Sequence, residues 1–277
     1  MTGVHTTDTA HDSQPSVLLN VQNLTVSYGH ITALADADMT LPAHVTSSTG
    51  MPRGIICGLL GPNGSGKSSL FKALMGATPS RGTIQVAGLS SLEARKAGKI
   101  AYVPQAEDVD WDFPLSVREV VSQGRPQRRL RSATPHDKTI VQEALIRVSL
   151  EELADRQIGE LSGGQKRRVF VARACAQFLD SSVPSTQNER DAPKLLLLDE
   201  PFSGVDVQSA ELIEHAIMEL AHNGVGVLVS VHDMESARRL CDEVVLLRKC
   251  VLAQGPTREV LTDANISNLF MGGDIHV

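Results

Sequence analysis

From Leu18 to Val26 apolar residues alternate with polar ones, the pattern of a strand that buries one face, and the alternation stops at the turn signal Tyr28-Gly29-His30. Gly54 to Leu60, Lys194 to Leu198, Val225 to Val231 and Glu243 to Leu247 are instead short, nearly uninterrupted apolar runs, which suits strands covered on both faces. Between them lie stretches of helical character, Ser69 to Met75, Thr139 to Val148 and Lys166 to Gln177. Strands alternating with helices predict an α/β fold, with a mostly parallel sheet, helices on its faces and an antiparallel β edge from the first strands.

Residues from about 106 to 165 differ in character, carrying Trp111, several prolines and the basic run Arg125 to Arg131. Ser116 and Glu119 have the spacing of a capping box, so a helix is expected to start just after Pro114-Leu115. This segment reads as a helical subdomain inserted into the α/β core. Residues 1–16 are rich in Thr, His, Asp and Ser without periodicity and read as a tail, as do 273–277, which leaves 17–272 as one domain.

The chain has 277 residues, 42% of them apolar, enough for a sizeable core. No run approaches the ~20 apolar residues of a membrane helix, and the polar start lacks the basic and apolar regions of a signal peptide, so a protein that does not itself cross a membrane is expected. The cysteines Cys57, Cys175, Cys241 and Cys250 are scattered, without metal-site or disulfide spacing. A formal charge of −6 argues against nucleic acid as a partner.

Three motifs carry chemistry. Gly61-Pro62-Asn63-Gly64-Ser65-Gly66-Lys67-Ser68 fits G-x-x-x-x-G-K-[ST] at every fixed position, between a strand-like run and a helix-like one that opens with Ser69. Glycines let backbone N–H groups close on phosphates at a helix start, Lys67 reaches the β- and γ-phosphates, and Ser68 ligates Mg²⁺. A P-loop NTPase core that binds a nucleoside triphosphate with Mg²⁺ is the expectation. The run Lys194 to Leu198 ends abruptly in Asp199-Glu200; ligands bind at the carboxyl ends of such strands, so Asp199 is expected to hold Mg²⁺ and Glu200 to orient or deprotonate water. Third, Leu161-Ser162-Gly163-Gly164-Gln165 precedes a helix-like stretch; Ser162 and Gln165 also have capping-box spacing, and the two uses are compatible. A second glycine-rich helix start that lacks the first one's combination of a following lysine and an acidic strand end suits the nucleotide of another subunit, which a two-fold dimer would satisfy in both copies.

In this order, the phosphate loop, the LSGGQ segment and the Leu-Leu-Leu-Leu-Asp-Glu strand resemble an ATP-binding-cassette (ABC) ATPase from residue 17 onward. The resemblance implies further roles: Tyr28 stacking on adenine, Gln105 in Tyr102-Val103-Pro104-Gln105 sensing Mg²⁺ and water, Asp206 coupling the two sites of a dimer, and His232 contacting the γ-phosphate. It also implies a homodimer in the ATP-bound state, integral membrane permease subunits, and a place on the cytoplasmic face of the membrane. Val109-Asp110-Trp111-Asp112-Phe113-Pro114 is similar to the ATPase subunits of manganese, zinc and iron importers, for which an extracytoplasmic substrate-binding protein is implied. An exporter subunit, an importer of another cargo, or a soluble ABC ATPase acting on nucleic acid or ribosomes share the nucleotide motifs and stay open. His44 to Arg53 and Leu179 to Pro193 are longer and more polar than the compact family pattern; both lead into strand starts and are expected at the edge opposite the nucleotide.

Overall fold

The computed structural model describes residues 17–47, 49–105, 114–125, 133–179 and 193–271. The Trp111 motif up to Phe113, the basic run beyond Arg125, both tails and nearly all of the 179–193 insertion lie outside the described residues.

Strands β1 (Val17–Tyr28) and β2 (Ile31–Pro42) form a long antiparallel hairpin, turned at Gly29 with φ 61°. They join β6 (Arg81–Val86) and β7 (Leu89–Ser90) in a four-stranded sheet of order β2-β1-β6-β7. Strands β3 (His44–Thr46) and β4 (Pro52–Gly54) make a small hairpin. The second large sheet contains β5 (Ile56–Leu60), β8 (Ile100–Val103), β9 (Lys194–Leu198), β10 (Val225–Ser230), β11 (Glu243–Arg248) and β12 (Cys250–Pro256), ordered β12-β11-β5-β10-β9-β8. All its pairings are parallel except β11 with β12. An α/β core with an antiparallel edge is therefore present as expected.

Every residue of β5 and β10 is buried, which explains their unbroken apolar runs. Their side chains still alternate in direction. Leu195, Leu197 and Leu228 pack with the four-stranded sheet and with α1 (Lys67–Leu74), around Phe71. Leu196, Leu198, Val227 and Val229 pack on the other face, with α5 (Gly163–Phe178) and α6 (Val207–His222). Burying each such leucine contributes about 2 kcal/mol before packing effects. The remaining helices are α2 (Ser91–Lys96), α3 (Val117–Ser122), α4 (Pro135–Arg147), α7 (Met234–Leu240), α8 (Thr257–Val260) and α9 (Asp263–Met271).

Helix α3 begins at the expected Ser116–Glu119 capping box. Helix α4 starts four residues before the periodic stretch at Thr139, because Thr134 caps it, Asp137 completes the box and Pro135 occupies the first turn. Bonding to the Thr134 hydroxyl and N–H, with a further contribution from Arg125, holds the Asp137 carboxyl down at about 2. A depressed carboxylate stabilises the fold above its ordinary value and loses that contribution as pH falls toward 2. The melting temperature of Asp137→Asn should thus lie below wild type at neutral pH, and the gap should close as pH approaches about 2.

The 44–53 segment is the β3–β4 hairpin, at the amino end of β5 and so at the far end from the phosphate loop. Arg53 Nη1 and Nη2 clasp Asp242 at 3.0 and 2.5 Å, and Asp242 accepts the Ile56 N–H at 2.9 Å. The hairpin is thereby tied to the amino ends of β5 and β11.

Candidate nucleotide site

The sheet order sets β5, β10, β9 and β8 side by side, so the segments leaving their carboxyl ends converge. They carry the phosphate loop after β5, His232 after β10, Asp199-Glu200 after β9 and Gln105 after β8.

The loop is shaped by close approach. A Cβ at Gly61 would lie 2.2 Å from the Leu247 carbonyl oxygen, and one at Gly66 would lie 2.5 Å from Leu34 Cδ2 and 2.6 Å from the Ala33 oxygen. Gly66, with φ 102°, precedes α1 and has no side chain to cap it, which leaves the first N–H groups of the helix open to an anion. Pro62, Asn63 and Gly64 form the outer turn, and the Ser65 N–H donates to the Pro62 oxygen at 3.1 Å. The buried Ser65 Oγ has no partner among the described residues. Lys67, 6% exposed, donates from Nζ to the Gly61 and Pro62 oxygens at 2.8 and 3.2 Å. Burial pushes its ammonium below the ordinary value, while Glu200 and Asp199 pull it back.

Asp199 is 1% exposed. Burial pushes its carboxyl above the usual range, opposed by hydrogen bonds from the Ser68 and Ser230 hydroxyls. Tyr102 Oη donates to Asp199 Oδ2 at 3.5 Å. Glu200 adopts φ 51°, and its Oε2 meets Gln105 Nε2 at 3.0 Å and His232 Nε2 at 2.9 Å. Gln105, Glu200 and His232, three residues far apart in sequence, thus share one carboxylate. A pocket of about 280 Å³ beside Gly61, Pro62, Asn63 and His232 is closed on one side by Phe270 of α9.

The other candidates are placed separately. Ser162 caps α5 in a capping box, its N–H donating to Gln165 Oε1 at 2.9 Å and its Oγ accepting the Gln165 N–H at 3.2 Å. Asp206 caps α6, accepting the Ser209 N–H and hydroxyl at 2.8 Å each, which holds its carboxyl below the usual range. These two helix starts touch: a Cβ at Gly164 would lie 2.6 Å from Asp206 Oδ2, and Gly163 faces the Gly204 oxygen. Tyr28 sits half exposed at the tip of the β1–β2 hairpin, whose Leu34 backs Gly66. Ser69 follows Ser68 in the first turn of α1.

Two contributors escape a motif search. Ser230, at the end of β10, accepts the Glu200 N–H at 2.6 Å and donates to Asp199 Oδ1 at 3.1 Å. Arg167, 3% exposed on α5, donates from Nη1 to the Pro104 oxygen at 2.7 Å, beside Gln105. Burial lowers its guanidinium value, with Asp199 and Glu200 opposing. A polar residue inside an apolar strand or helix face was the available signal for both.

Fold and site together define a P-loop nucleotide-binding domain of the cassette type. A profile of the ABC transporter family matches residues 46–180. The chain is 46% identical over 222 residues to the manganese transport system ATP-binding protein MntA of Synechocystis sp., covering 79% of this chain and 80% of that one. It is 44% identical over 264 residues to the chelated iron transport system membrane protein YfeB of Yersinia pestis, covering 94% and 81%. Among solved structures, an ABC transporter assigned to the metal-chelate type, in an inward-facing conformation, superposes with a TM-score of 0.72 at 27% identity, covering 92% of this chain and 89% of that one. The chain belongs to the ABC transporter family as an ATP-binding subunit. No helix among the described residues is long and apolar enough to cross a membrane.

Proposed function

We propose that this chain hydrolyses ATP to ADP and phosphate to power a transporter that imports a divalent transition metal, manganese, zinc or iron, or its chelate. The observation that carries the hydrolytic reading is the Glu200 carboxylate held by Gln105 and His232 beside the phosphate loop. The metal cargo is supported by the manganese and chelated-iron systems of the relatives above.

The residues fit the nucleotide. An uncapped helix start, an unpartnered Ser65 hydroxyl and a buried lysine resting on loop carbonyls are donors that phosphate oxygens would engage. Gly61, Pro62, Asn63, Gly64, Ser65, Gly66, Lys67, Ser68 and Ser69 would cradle the phosphates, with Tyr28 against the base. Ser68, Asp199 and Gln105 offer an all-oxygen donor set, which suits Mg²⁺. Bound there, Mg²⁺ would offset phosphate charge during transfer. Glu200 takes the proton of the attacking water or orients it, His232 contacts the γ-phosphate, and Gln105 links them to the cation. In this reading Ser162, Gly163, Gly164 and Gln165 meet the nucleotide of a second copy, and Asp206, touching Gly164, relays between the two sites. The dimer closes over two ATP and reopens on hydrolysis, moving permease subunits that hold the chain at the cytoplasmic face of the membrane; an extracytoplasmic binding protein delivers the cargo.

The test is purification of the tagged chain from gently solubilised membranes, followed by assay of the complex. A permease at fixed ratio, with ATP turnover stimulated by manganese, zinc or iron plus binding protein, is expected. Recovery with ribosomes or nucleic acid would overturn the transport reading, and stimulation by another cargo alone would overturn the metal.

A further inference from the structure

Strands β9 and β10 run parallel with Leu198 beside Val229, so the turn after Leu198 meets Ser230 at the end of β10. Ser230 is 1% exposed. Its single hydroxyl accepts the Glu200 N–H at 2.6 Å and donates to Asp199 Oδ1 at 3.1 Å; its contact with the Leu198 oxygen is longer, at 3.5 Å. It therefore bridges the backbone of one acid and the carboxylate of the other from a neighbouring strand. Glu200 also stands at φ 51°, a conformation that a side chain other than glycine keeps only when its surroundings hold it there. Without the Ser230 hydroxyl, a part-buried N–H loses its acceptor and Asp199 Oδ1 loses its donor. The turn would then be free to relax, carrying the Glu200 side chain away from Gln105 and His232.

We propose that Ser230 is a positioning residue for ATP hydrolysis: it holds the left-handed turn that aims Glu200 and fixes the orientation of Asp199. The inference rests on Glu200 and Asp199 being the catalytic and Mg²⁺-holding acids. A hydroxyl that merely filled space would be replaceable by any group of its size.

The experiment compares Ser230→Ala, Ser230→Thr, Ser230→Cys and Glu200→Gln in the full chain with the wild type. Ser230→Ala is expected to lower kcat by about 10- to 100-fold, the loss typical of residues that orient a site. KM for ATP and the affinity for a fluorescent ATP analogue should stay within about threefold, since the phosphate loop is untouched. Mn²⁺, used as a spectroscopic probe in place of Mg²⁺, should bind the ATP-loaded Ser230→Ala protein more weakly. Threonine, which keeps the hydroxyl, should recover most of kcat; cysteine, nearly the size of serine but a weak acceptor, should not. If alanine prevents folding, the cysteine variant carries the comparison. A Ser230→Ala or Ser230→Cys protein with wild-type kcat, beside an inactive Glu200→Gln, overturns the role of Ser230 alone. Parallel loss of analogue affinity and turnover reduces it to fold support and also overturns it. A Glu200→Gln protein that turns over normally removes the underlying assignment instead.

Discussion

Glu200→Gln should lower ATP turnover by about 10²- to 10⁴-fold, the range for loss of a general base, while leaving ATP affinity nearly unchanged. Glutamine matches the shape of the side chain, so Gln105 and His232 keep a partner at the position they now hold, 3.0 and 2.9 Å from Oε2. What disappears is the basic oxygen. Lys67 and the phosphate loop, which would carry the affinity, are not touched. A chain that binds ATP but cannot consume it should accumulate in the closed dimer, so the variant with ATP and Mg²⁺ should elute from a sizing column as a dimer, and the wild type as a monomer once its ATP is spent. Hydrolysis at the wild-type rate by the variant would remove Glu200 from the chemistry. Loss of ATP binding would place the carboxylate in the binding of substrate rather than in its hydrolysis.

The parts of this site that were legible in sequence are those in which a local pattern and a chemical need coincide. The loop from Gly61 to Ser68 needs glycines where neighbouring backbone closes in, and the carbonyls of Leu247 and Ala33 do so at Gly61 and Gly66. The leucine run ending in Asp199-Glu200 announces a buried strand whose end is acidic, and β9 spans the expected residues. Ser162 with Gln165 was readable as a helix cap, and that cap is formed. Ser230 showed in sequence only as a polar residue in an apolar strand; its role was not legible, because its partners lie about thirty residues away and meet it only through the order and register of the sheet. The same holds for Arg167, whose acceptor on Pro104 is brought close by packing of α5 against β8. Sequence offers no sign that Glu200 adopts a left-handed backbone, since the hydroxyl that accepts its N–H sits on another strand. Boundaries shifted where local capping outweighed periodicity: the Thr134 box extended α4 toward its start, and the polar 44–53 connection closed on itself as a hairpin.

Lys67→Ala should separate folding from binding more sharply than any other single change here. In the structure the ammonium is buried against the Gly61 and Pro62 carbonyls, and burial pushes it below its ordinary value. A desolvated cation bonded to two neutral oxygens, its burial cost only partly offset by the Glu200 and Asp199 carboxylates, is a poor contributor to stability, so the nucleotide-free variant should melt at the wild-type temperature or slightly above it. With ATP the order should reverse. The lysine would exchange neutral carbonyls for charged phosphate oxygens; bonds of a charged group span about 1.5–3 kcal/mol, and moving from the low to the high end of that range adds about 1.5 kcal/mol each. Two such bonds amount to roughly 3 kcal/mol, or about 10²-fold in affinity. Because ligand stabilisation follows RT ln(1 + [ATP]/Kd), the upward shift in melting temperature that ATP at about 100 times its Kd gives the wild type should nearly vanish for the variant at the same concentration. Paired melts with and without ATP read both effects in one experiment. A variant that melts low without nucleotide would mean that Lys67 supports the loop itself, and one that keeps the full ATP-induced shift would show that the helix start and the loop N–H groups hold the phosphates without it.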